Sequence, residues 1–179
     1  VAKMLEGFNE VLEVGCGDAF AARIVKQHVK KLTATDFDPA FIEDAKNIMR
    51  EPWLFDCFVH DILKGPVLSK KFDAAYSLDV LEHIPVAVED TYFKNIVACL
   101  AEDGVFVVGM PSLNSQKFAS SRSLAGHVNC KSLADLKDLG NRFFHNTFGF
   151  CMNDEVVHTG FQEMANYIFI LCCSPRKLD

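Results

Sequence analysis

Short apolar runs alternate with amphipathic segments along most of the chain, and this alternation predicts an α/β fold. Runs of apolar and β-branched residues predict five strands. Apolar residues recur at helical spacing between them, and Asp38 before Pro39 predicts a capped helix start. The predicted strands are residues 11–14, 32–35, 53–59, 72–77 and 105–110, and the predicted helices are residues 19–29, 38–50, 91–100 and 132–139.

Two further apolar segments, residues 143–150 and 167–173, lie near the end of the chain. The residues between them show no helical period, so the two segments are predicted to pair as antiparallel neighbours rather than through a helical crossover. No internal repeat, low-complexity tract or linker interrupts the 179 residues. Residues 1–179 are therefore predicted to form a single domain around one core.

The composition narrows the classes of partner. Eighteen lysine and arginine residues against 24 aspartate and glutamate residues give a formal net charge of -6, without the basic stripe typical of nucleic-acid-binding proteins. The seven cysteines form no Cys-x-x-Cys pair, as expected of reduced thiols in the cytosol. The longest apolar run, residues 168–173, is far too short to cross a bilayer. We expect a cytoplasmic protein without nucleic-acid or membrane partners.

Residues 11–19 read Val-Leu-Glu-Val-Gly-Cys-Gly-Asp-Ala, a short strand followed at once by two glycines. Glycine has no Cβ and adopts positive φ readily, so such a turn brings backbone N–H groups close to a nucleotide ligand. A dinucleotide-binding turn needs a third glycine where Phe20 stands, which disfavours a nicotinamide dehydrogenase. Glu13, Gly15 and Gly17, followed by the small residue Ala19, instead resemble the acid-x-Gly-x-Gly-x-Gly motif of the class I S-adenosylmethionine-dependent methyltransferases.

The resemblance extends over residues 11–175 and implies a Rossmann-like α/β sheet of seven strands with helices on both faces. The implied strand order is 3-2-1-4-5-7-6, with the last strand antiparallel. The implied cofactor is S-adenosylmethionine and the implied product is S-adenosylhomocysteine. Because the first strand starts close to Val1, the resemblance also implies that the N-terminal cap of the family is missing or short.

Two acids at predicted strand ends are candidates for holding this cofactor. Asp36 follows the second strand about twenty residues after the glycine turn, where a carboxylate accepts hydrogen bonds from a ribose diol. Phe37, next to it, is placed to cover one face of the adenine. By the resemblance, Asp61 accepts from the adenine amino group and Ile62 packs on the ring. Asp56 competes with Asp61, but its position inside a predicted strand favours a solvent-facing side chain.

Other residues near the turn have more than one interpretation. Glu13 either holds the turn and the methionine end of the cofactor, as the resemblance implies, or is a buried, paired structural carboxylate. Cys16 lies inside the turn and is predicted to contact the cofactor. Asp18 reaches either the methionine end or the start of the next helix. Ser77 and Leu78 end the fourth strand, where the backbone of the family meets the methionine amino group.

Asp79, Glu82 and His83 follow the fourth strand at positions i, i+3 and i+4. The resemblance places this loop beside the transferred methyl group, so Asp79 and His83 are the candidate catalytic acid or base. The spacing is also similar to the metal-binding stretch of ubiquinone-biosynthesis O-methyltransferases and small-RNA 2′-O-methyltransferases, with His127 as the candidate fourth ligand. Metal-free relatives carry the same Leu-Glu-His run, and we expect no metal here.

The methyl acceptor is predicted only by its class. Residues 112–129 follow the fifth strand, are rich in Ser, Asn and Gly, and are predicted to form the mobile loop that selects the acceptor. The acidic, single-domain chain favours a small molecule that is methylated on oxygen or nitrogen. The alternative function is that of a cofactor-binding but inactive partner, or regulatory subunit, of another enzyme.

Overall fold

Strands and helices alternate along the chain, and the strands join into one sheet. The computed structural model describes residues 1–177, and within them lie eight β-strands and five α-helices. The strands are β1 (Glu10–Val14), β2 (Lys31–Asp36), β3 (Asp56–Val59), β4 (Phe72–Leu78), β5 (Leu100–Pro111), β6 (Phe144–Asn153), β7 (Val156–His158) and β8 (Tyr167–Pro175). The helices are α1 (Ala22–Lys26), α2 (Pro39–Ile48), α3 (Glu89–Cys99), α4 (Ser121–Gly126) and α5 (Leu133–Phe143).

The strand order in the sheet is β3-β2-β1-β4-β5-β8-β6-β7. The strands β1 to β5 are parallel, and β8 runs antiparallel between β5 and β6. This arrangement confirms the predicted order and the predicted antiparallel pair, because β6 and β8 are the sixth and seventh strands of the prediction. The difference is β7, an additional edge strand of three residues that pairs with the end of β6.

Several element bounds differ from the sequence prediction. The first helix begins only at Ala22, because Ala19 has a positive φ of 55° and still belongs to the glycine turn. The predicted loop 112–129 contains a 3₁₀ turn, Leu113–Phe118, and the helix α4. Serines begin both: the Ser112 side chain accepts from the Ser115 backbone N–H, and the Ser120 side chain accepts from that of Ser123.

The helix α5 also departs from the prediction, which ended it before Gly140. It continues through Phe143, and Gly140 lies inside it. A Cβ at Gly140 would lie 2.8 Å from Ile170 Cδ1 and 3.1 Å from Cys172 Sγ. The glycine therefore permits close packing of α5 on β8 and does not end the helix.

Apolar side chains cover both faces of the sheet. On one face, Phe93 of α3 stacks on Phe143 of α5 at 5.2 Å between ring centroids, and Phe106 of β5 meets Phe93 edge-on. On the other face, α1 and α2 bury Val25 and Ile42 against the sheet. The packing holds β1, β2 and β4 from both sides, so their carboxyl ends form one ordered edge. No helix within residues 1–177 has the length and apolar character needed to cross a membrane.

Candidate functional site

A cavity of about 640 Å³ lies at the carboxyl ends of β1, β2 and β4. In open parallel sheets this edge is where ligands bind. Six of the predicted cofactor residues line it: Gly15, Gly17, Asp36, Phe37, Asp61 and Ile62. Both predicted catalytic residues, Asp79 and His83, line it as well. The sequence thus identified side chains that the fold brings to one cavity from well-separated positions in the chain.

The glycine turn is the wall of this cavity next to β1. Gly15 and Gly17 have φ values of 79° and 53°, a region that residues with a Cβ rarely adopt. A Cβ at Gly15 would lie only 2.2 Å from Val80 Cγ2. The Gly15 N–H donates to the Thr35 carbonyl at 2.8 Å, which fixes the turn against the end of β2.

Asp36 ends β2 and is 6% exposed. Its Oδ2 accepts from the Gly17 backbone N–H and its Oδ1 accepts from the Asp38 backbone N–H, each at 2.9 Å. Each carboxylate oxygen has a second lone pair, so these two bonds leave acceptor capacity on a side chain that lines the cavity. Asp36 therefore organises the glycine turn and also presents a hydrogen-bond acceptor to a ligand.

Asp61 follows β3, and its Oδ1 accepts from the Leu63 backbone N–H at 3.0 Å. Its Oδ2 lies 3.2 Å from the Lys64 ammonium nitrogen, in an exposed ion pair. Asp56, the competing candidate, is exposed on β3 and does not line the cavity. The structure therefore favours Asp61 of the two.

Sequence reasoning missed part of the cavity lining. Phe41 and His60 line it, together with Ile84 and Pro85 of the segment after β4. The His60 ring is held by a 2.9 Å hydrogen bond between its Nε2 and the Gly65 carbonyl. Phe41 lies in the first turn of α2, where helical spacing alone assigned it to the core, yet its side chain is 45% exposed.

Glu13 lies close to the cavity but is not among the residues that line it. The residue is 7% exposed, and its Oε2 has no hydrogen-bond partner within the described part of the chain. Burial, opposed by the Tyr76 hydroxyl and helped by Cys57 and Asp36, raises the pKa of Glu13 to about 7. The side chain is therefore buried, as the second interpretation predicts, but its Oε2 lacks the partner that a paired carboxylate would have within residues 1–177.

Three other predicted cofactor residues also turn their side chains away from the cavity. The Ser77 hydroxyl is buried and donates to the Val14 carbonyl at 2.8 Å, which ties β4 to β1. Leu78 packs in the core on the α1 and α2 side, and the Cys16 thiol donates to the Gly17 carbonyl at 3.4 Å. These side chains maintain the shape of the site, and only their backbone can face a ligand.

Asp79 directly follows β4 and has a positive φ of 56°. Its backbone N–H donates to the Gly109 carbonyl at 3.1 Å. Burial raises the pKa of the Asp79 carboxyl, while the Tyr167 hydroxyl, His83 and His127 lower it. A non-glycine residue held in this backbone region next to a ligand cavity is typical of a functional site.

Glu82, His83 and His127 form a cluster next to Asp79. One ligand atom from each residue lies within 4.8 Å of the others. Glu82 is 1% exposed, its Oε2 has no hydrogen-bond partner among residues 1–177, and burial raises its pKa to about 7. Asp79 lies outside this group, because its positive φ turns the chain before the 3₁₀ turn Leu81–His83 begins.

Each histidine of the cluster has one ring nitrogen engaged elsewhere. His83 Nδ1 lies 2.9 Å from the Gly126 carbonyl, and His127 Nδ1 lies 2.8 Å from Gln116 Oε1. These bonds leave Nε2 of each ring available, as in metal sites where a second group fixes the imidazole. The Glu82 carbonyl accepts from the Val128 backbone N–H at 2.8 Å, which brings His127 to the cluster.

A protein-family model described as a methyltransferase domain matches residues 12–108, more than half of the chain. The chain belongs to this methyltransferase family. Its cofactor is therefore S-adenosylmethionine, in agreement with the glycine turn and the cavity beside it. A search of curated proteins finds no match to this methyltransferase.

Solved structures with the same fold include other methyltransferases. The N-methyltransferase NodS from Bradyrhizobium japonicum WM9 is 19% identical, with 98% of this chain and 90% of that chain covered and a TM-score of 0.71. The methyltransferase domain of bacterial CtHen1-C is 12% identical, covers 97% and 94%, and has a TM-score of 0.78. Magnesium protoporphyrin IX methyltransferase (ChlM) from Synechocystis PCC 6803, with S-adenosylhomocysteine (SAH) bound, is 14% identical, covers 95% and 75%, and has a TM-score of 0.69.

Proposed function

We propose that this methyltransferase transfers the methyl group of S-adenosylmethionine to an oxygen or nitrogen atom of a small molecule. The observation that carries the proposal is the single cavity that brings the glycine turn, Asp36 and Asp61 together with Asp79. The family identifies the cofactor as S-adenosylmethionine. Asp79 provides a carboxylate in the cavity, near His83 and His127.

The chemistry requires mainly orientation from the protein. S-adenosylmethionine supplies, when bound, a methyl group on a sulfonium whose leaving group is a neutral thioether. Asp36 then accepts from the ribose hydroxyls, and Asp61 accepts from the adenine amino group. Phe37 and Ile62 cover the adenine, and the turn backbone faces the methionine end. The remaining task of the protein is to orient the acceptor toward the methyl carbon and to exclude water from the reacting atoms.

Acceptor groups that carry a proton also need a base. An alcohol or an ammonium group must lose a proton as the methyl group arrives, and a positioned carboxylate or imidazole can accept it. Asp79 and His83 both line the cavity, but one ring nitrogen of His83, Nδ1, is already engaged with the Gly126 carbonyl. We assign proton acceptance to Asp79 and a supporting position to His83.

Residues 112–129 are proposed to select the acceptor. They contribute His127 to the cluster with Glu82 and His83, and the buried Asn129 amide donates to the Ile84 carbonyl and to Glu89 at 3.0 Å each. This anchor fixes one end of the segment, and the buried Ser112 hydroxyl fixes the other end by donating to the Ala165 carbonyl. Between the two anchors, the Phe118 and Leu124 side chains are exposed. Exchange of this segment is therefore expected to change the acceptor profile and to leave the cofactor affinity unchanged.

The substitution Asp36→Ala is expected to weaken S-adenosylmethionine binding by roughly tenfold to a hundredfold. It removes an ionised hydrogen-bond acceptor, which costs about 1.5–3 kcal/mol, and also frees the Gly17 N–H. Titration calorimetry with S-adenosylmethionine and S-adenosylhomocysteine measures the loss.

Asp38→Ala is the matched control for Asp36→Ala. Asp38 is the cap of α2, accepts from the Ala40 backbone N–H, and lies two residues from Asp36 without lining the cavity. Asp38→Ala should lower the free energy of unfolding by about 1 kcal/mol and leave cofactor affinity unchanged. Equal affinities for wild type and Asp36→Ala would remove the ribose assignment.

Turnover tests the proposed function itself. The protein is incubated with a metabolite extract and methyl-labelled S-adenosylmethionine, and methylated products are identified by mass. A labelled small molecule is the expected result. Tight cofactor binding without any labelled product would favour the alternative, an inactive cofactor-binding subunit.

A second candidate function is metal-assisted transfer to a hydroxyl group, and the Glu82, His83 and His127 cluster favours it. A buried carboxylate and two imidazoles form a donor set that suits divalent transition metals. A cation at this cluster would be held by Glu82, His83 and His127 and would lower the pKa of a hydroxyl group bound to it. The buried Glu82 Oε2 has no hydrogen-bond partner in the described residues, and this supports a metal site independently of the sequence spacing of the three ligands.

Metal removal separates the two candidates. If the cluster holds a catalytic cation, a chelator should lower turnover at least about tenfold, and Mn²⁺ should restore it. His127→Ala should weaken Mn²⁺ binding by a similar factor in calorimetry. His158→Ala is the control, because that ring contacts Asn153 and Gly160 on the β7 edge. Full activity in the chelator would leave the metal-free function in place.

A further inference from the structure

Tyr167 is a half-buried residue with a buried hydroxyl, and it does not line the cavity. It begins β8, pairs with Pro111 of β5, and its hydroxyl lies beside the Asp79 carboxylate. The hydroxyl has no hydrogen-bond partner within residues 1–177, Asp79 included. An unpaired buried hydroxyl is unfavourable, so its position next to the proposed base calls for a function.

Gly109 makes this position possible. The Gly109 carbonyl accepts from the Asp79 backbone N–H at 3.1 Å, so Gly109 is the neighbour of Asp79 on β5. A Cβ at Gly109 would lie 2.8 Å from Tyr167 Cε1. Gly109, within the apolar run 105–110 of β5, therefore leaves room for the tyrosine ring, and the ring brings the hydroxyl to Asp79.

We propose that Tyr167 is a positioning residue for Asp79. When an acceptor binds, the Tyr167 hydroxyl donates to one Asp79 carboxylate oxygen and thereby directs the other oxygen at the acceptor. Donation to an ionised oxygen fixes the carboxylate more firmly than a bond between neutral groups. The inference rests on the proposed function, because it assigns Asp79 the role of base.

The acceptor heteroatom uses its lone pair to form a bond to the methyl carbon, and the C–S bond breaks with its electron pair on sulfur. The acceptor proton passes to the free Asp79 oxygen. The Tyr167 hydroxyl keeps its own proton and only holds the carboxylate in place.

Tyr167→Phe tests the proposal, because it removes the hydroxyl and retains the ring. The initial rate of label transfer from S-adenosylmethionine into the metabolite extract, at saturating cofactor, should fall by roughly tenfold to a hundredfold. The KM for S-adenosylmethionine and the affinity for S-adenosylhomocysteine should stay within about twofold, and the melting temperature should not fall. A purely structural hydroxyl would instead lower the melting temperature.

Tyr92→Phe is the matched control. Tyr92 is fully buried on α3, and its hydroxyl also lacks a hydrogen-bond partner in the described residues. The same atom is removed there, and the rate should be unchanged. A second variant, Gly109→Ala, should lower the rate in the same way as Tyr167→Phe, because its methyl group displaces the ring.

A double-mutant cycle then identifies the partner. In the Asp79→Asn background, Tyr167→Phe should have little further effect on the rate, because the carboxylate it positions is gone. Additive losses, an unchanged rate in Tyr167→Phe, or a loss of stability would each overturn the proposal. Wild-type protein that binds S-adenosylhomocysteine but labels nothing would contradict the proposed function, and the role of Tyr167 would fall with it.

Discussion

Addition of one methyl group at Gly15 is expected to reduce the affinity for S-adenosylmethionine about a hundredfold or more. A residue with a Cβ at a φ near 79° is strained by about 1–2 kcal/mol. The new Cβ would also lie 2.2 Å from Val80 Cγ2, and such overpacking costs about 1–3 kcal/mol. The turn relieves both by leaving its ligand-ready shape, so the cofactor must restore that shape on binding. Titration calorimetry of Gly15→Ala measures the loss.

Two further variants separate the strain from the collision. Gly7→Ala carries similar backbone strain, since Gly7 has a φ of 88°, but its Cβ would have no described atom within 4 Å. It should lower stability and leave cofactor affinity unchanged. Val80→Ala removes the methyl group that collides with the new Cβ, so the double variant Gly15→Ala, Val80→Ala should recover part of the affinity. Normal binding by Gly15→Ala alone would show that the close approach at Gly15 has no role.

The centre of the sheet could be predicted because its strands β1, β2, β4 and β5 are largely buried. β5 reads as a continuous apolar run from Val105 to Met110, and β2 as a β-branched run, so each strand stands out without a partner. The edge strand β7 has only three residues, and two of them, Val156 and Val157, are largely exposed. A strand that depends on pairing with β6 rather than on burial leaves no comparable pattern in the sequence.

The local secondary structure after β5 was harder to predict from the sequence. Serine, asparagine and glycine are typical of loops, but Ser112 and Ser120 are also good helix caps and are used as such here. Gly140 shows the opposite error, since glycine after an amphipathic run usually ends a helix. Whether such a residue ends a helix or permits close packing depends on β8, which comes much later in the chain.

The cofactor side of the site followed from the sequence more closely than the acceptor side. Gly15, Gly17 and Asp36 belong to contiguous strand–turn units, whose order fixes their positions. Glu82 and His127 meet only because the Glu82 carbonyl accepts backbone N–H groups from residues more than forty positions away. Tyr167 is further still, and no spacing rule relates a tyrosine at the start of β8 to an aspartate after β4.

Asp79→Asn is expected to lower turnover by about a hundredfold or more while cofactor affinity stays within about twofold. Asparagine keeps the size of the side chain and tolerates the positive φ of this position, so the backbone contact with Gly109 is retained. The neutral amide does not accept the acceptor proton as a carboxylate does, so the loss falls on the chemical step. Label transfer from S-adenosylmethionine and calorimetry with S-adenosylhomocysteine measure the two quantities separately.

Asp154→Asn is the matched control, because the chain offers a second aspartate at positive φ. Asp154 has a φ of 50° in the turn between β6 and β7, away from the cavity lining. The same chemical change in the same backbone region should leave turnover at the wild-type level. If Asp79→Asn loses affinity and rate in equal measure, Asp79 acts in cofactor binding rather than proton transfer. If it loses neither, the base must be sought elsewhere, and His83→Ala, at the same end of the cavity, is then the variant to measure.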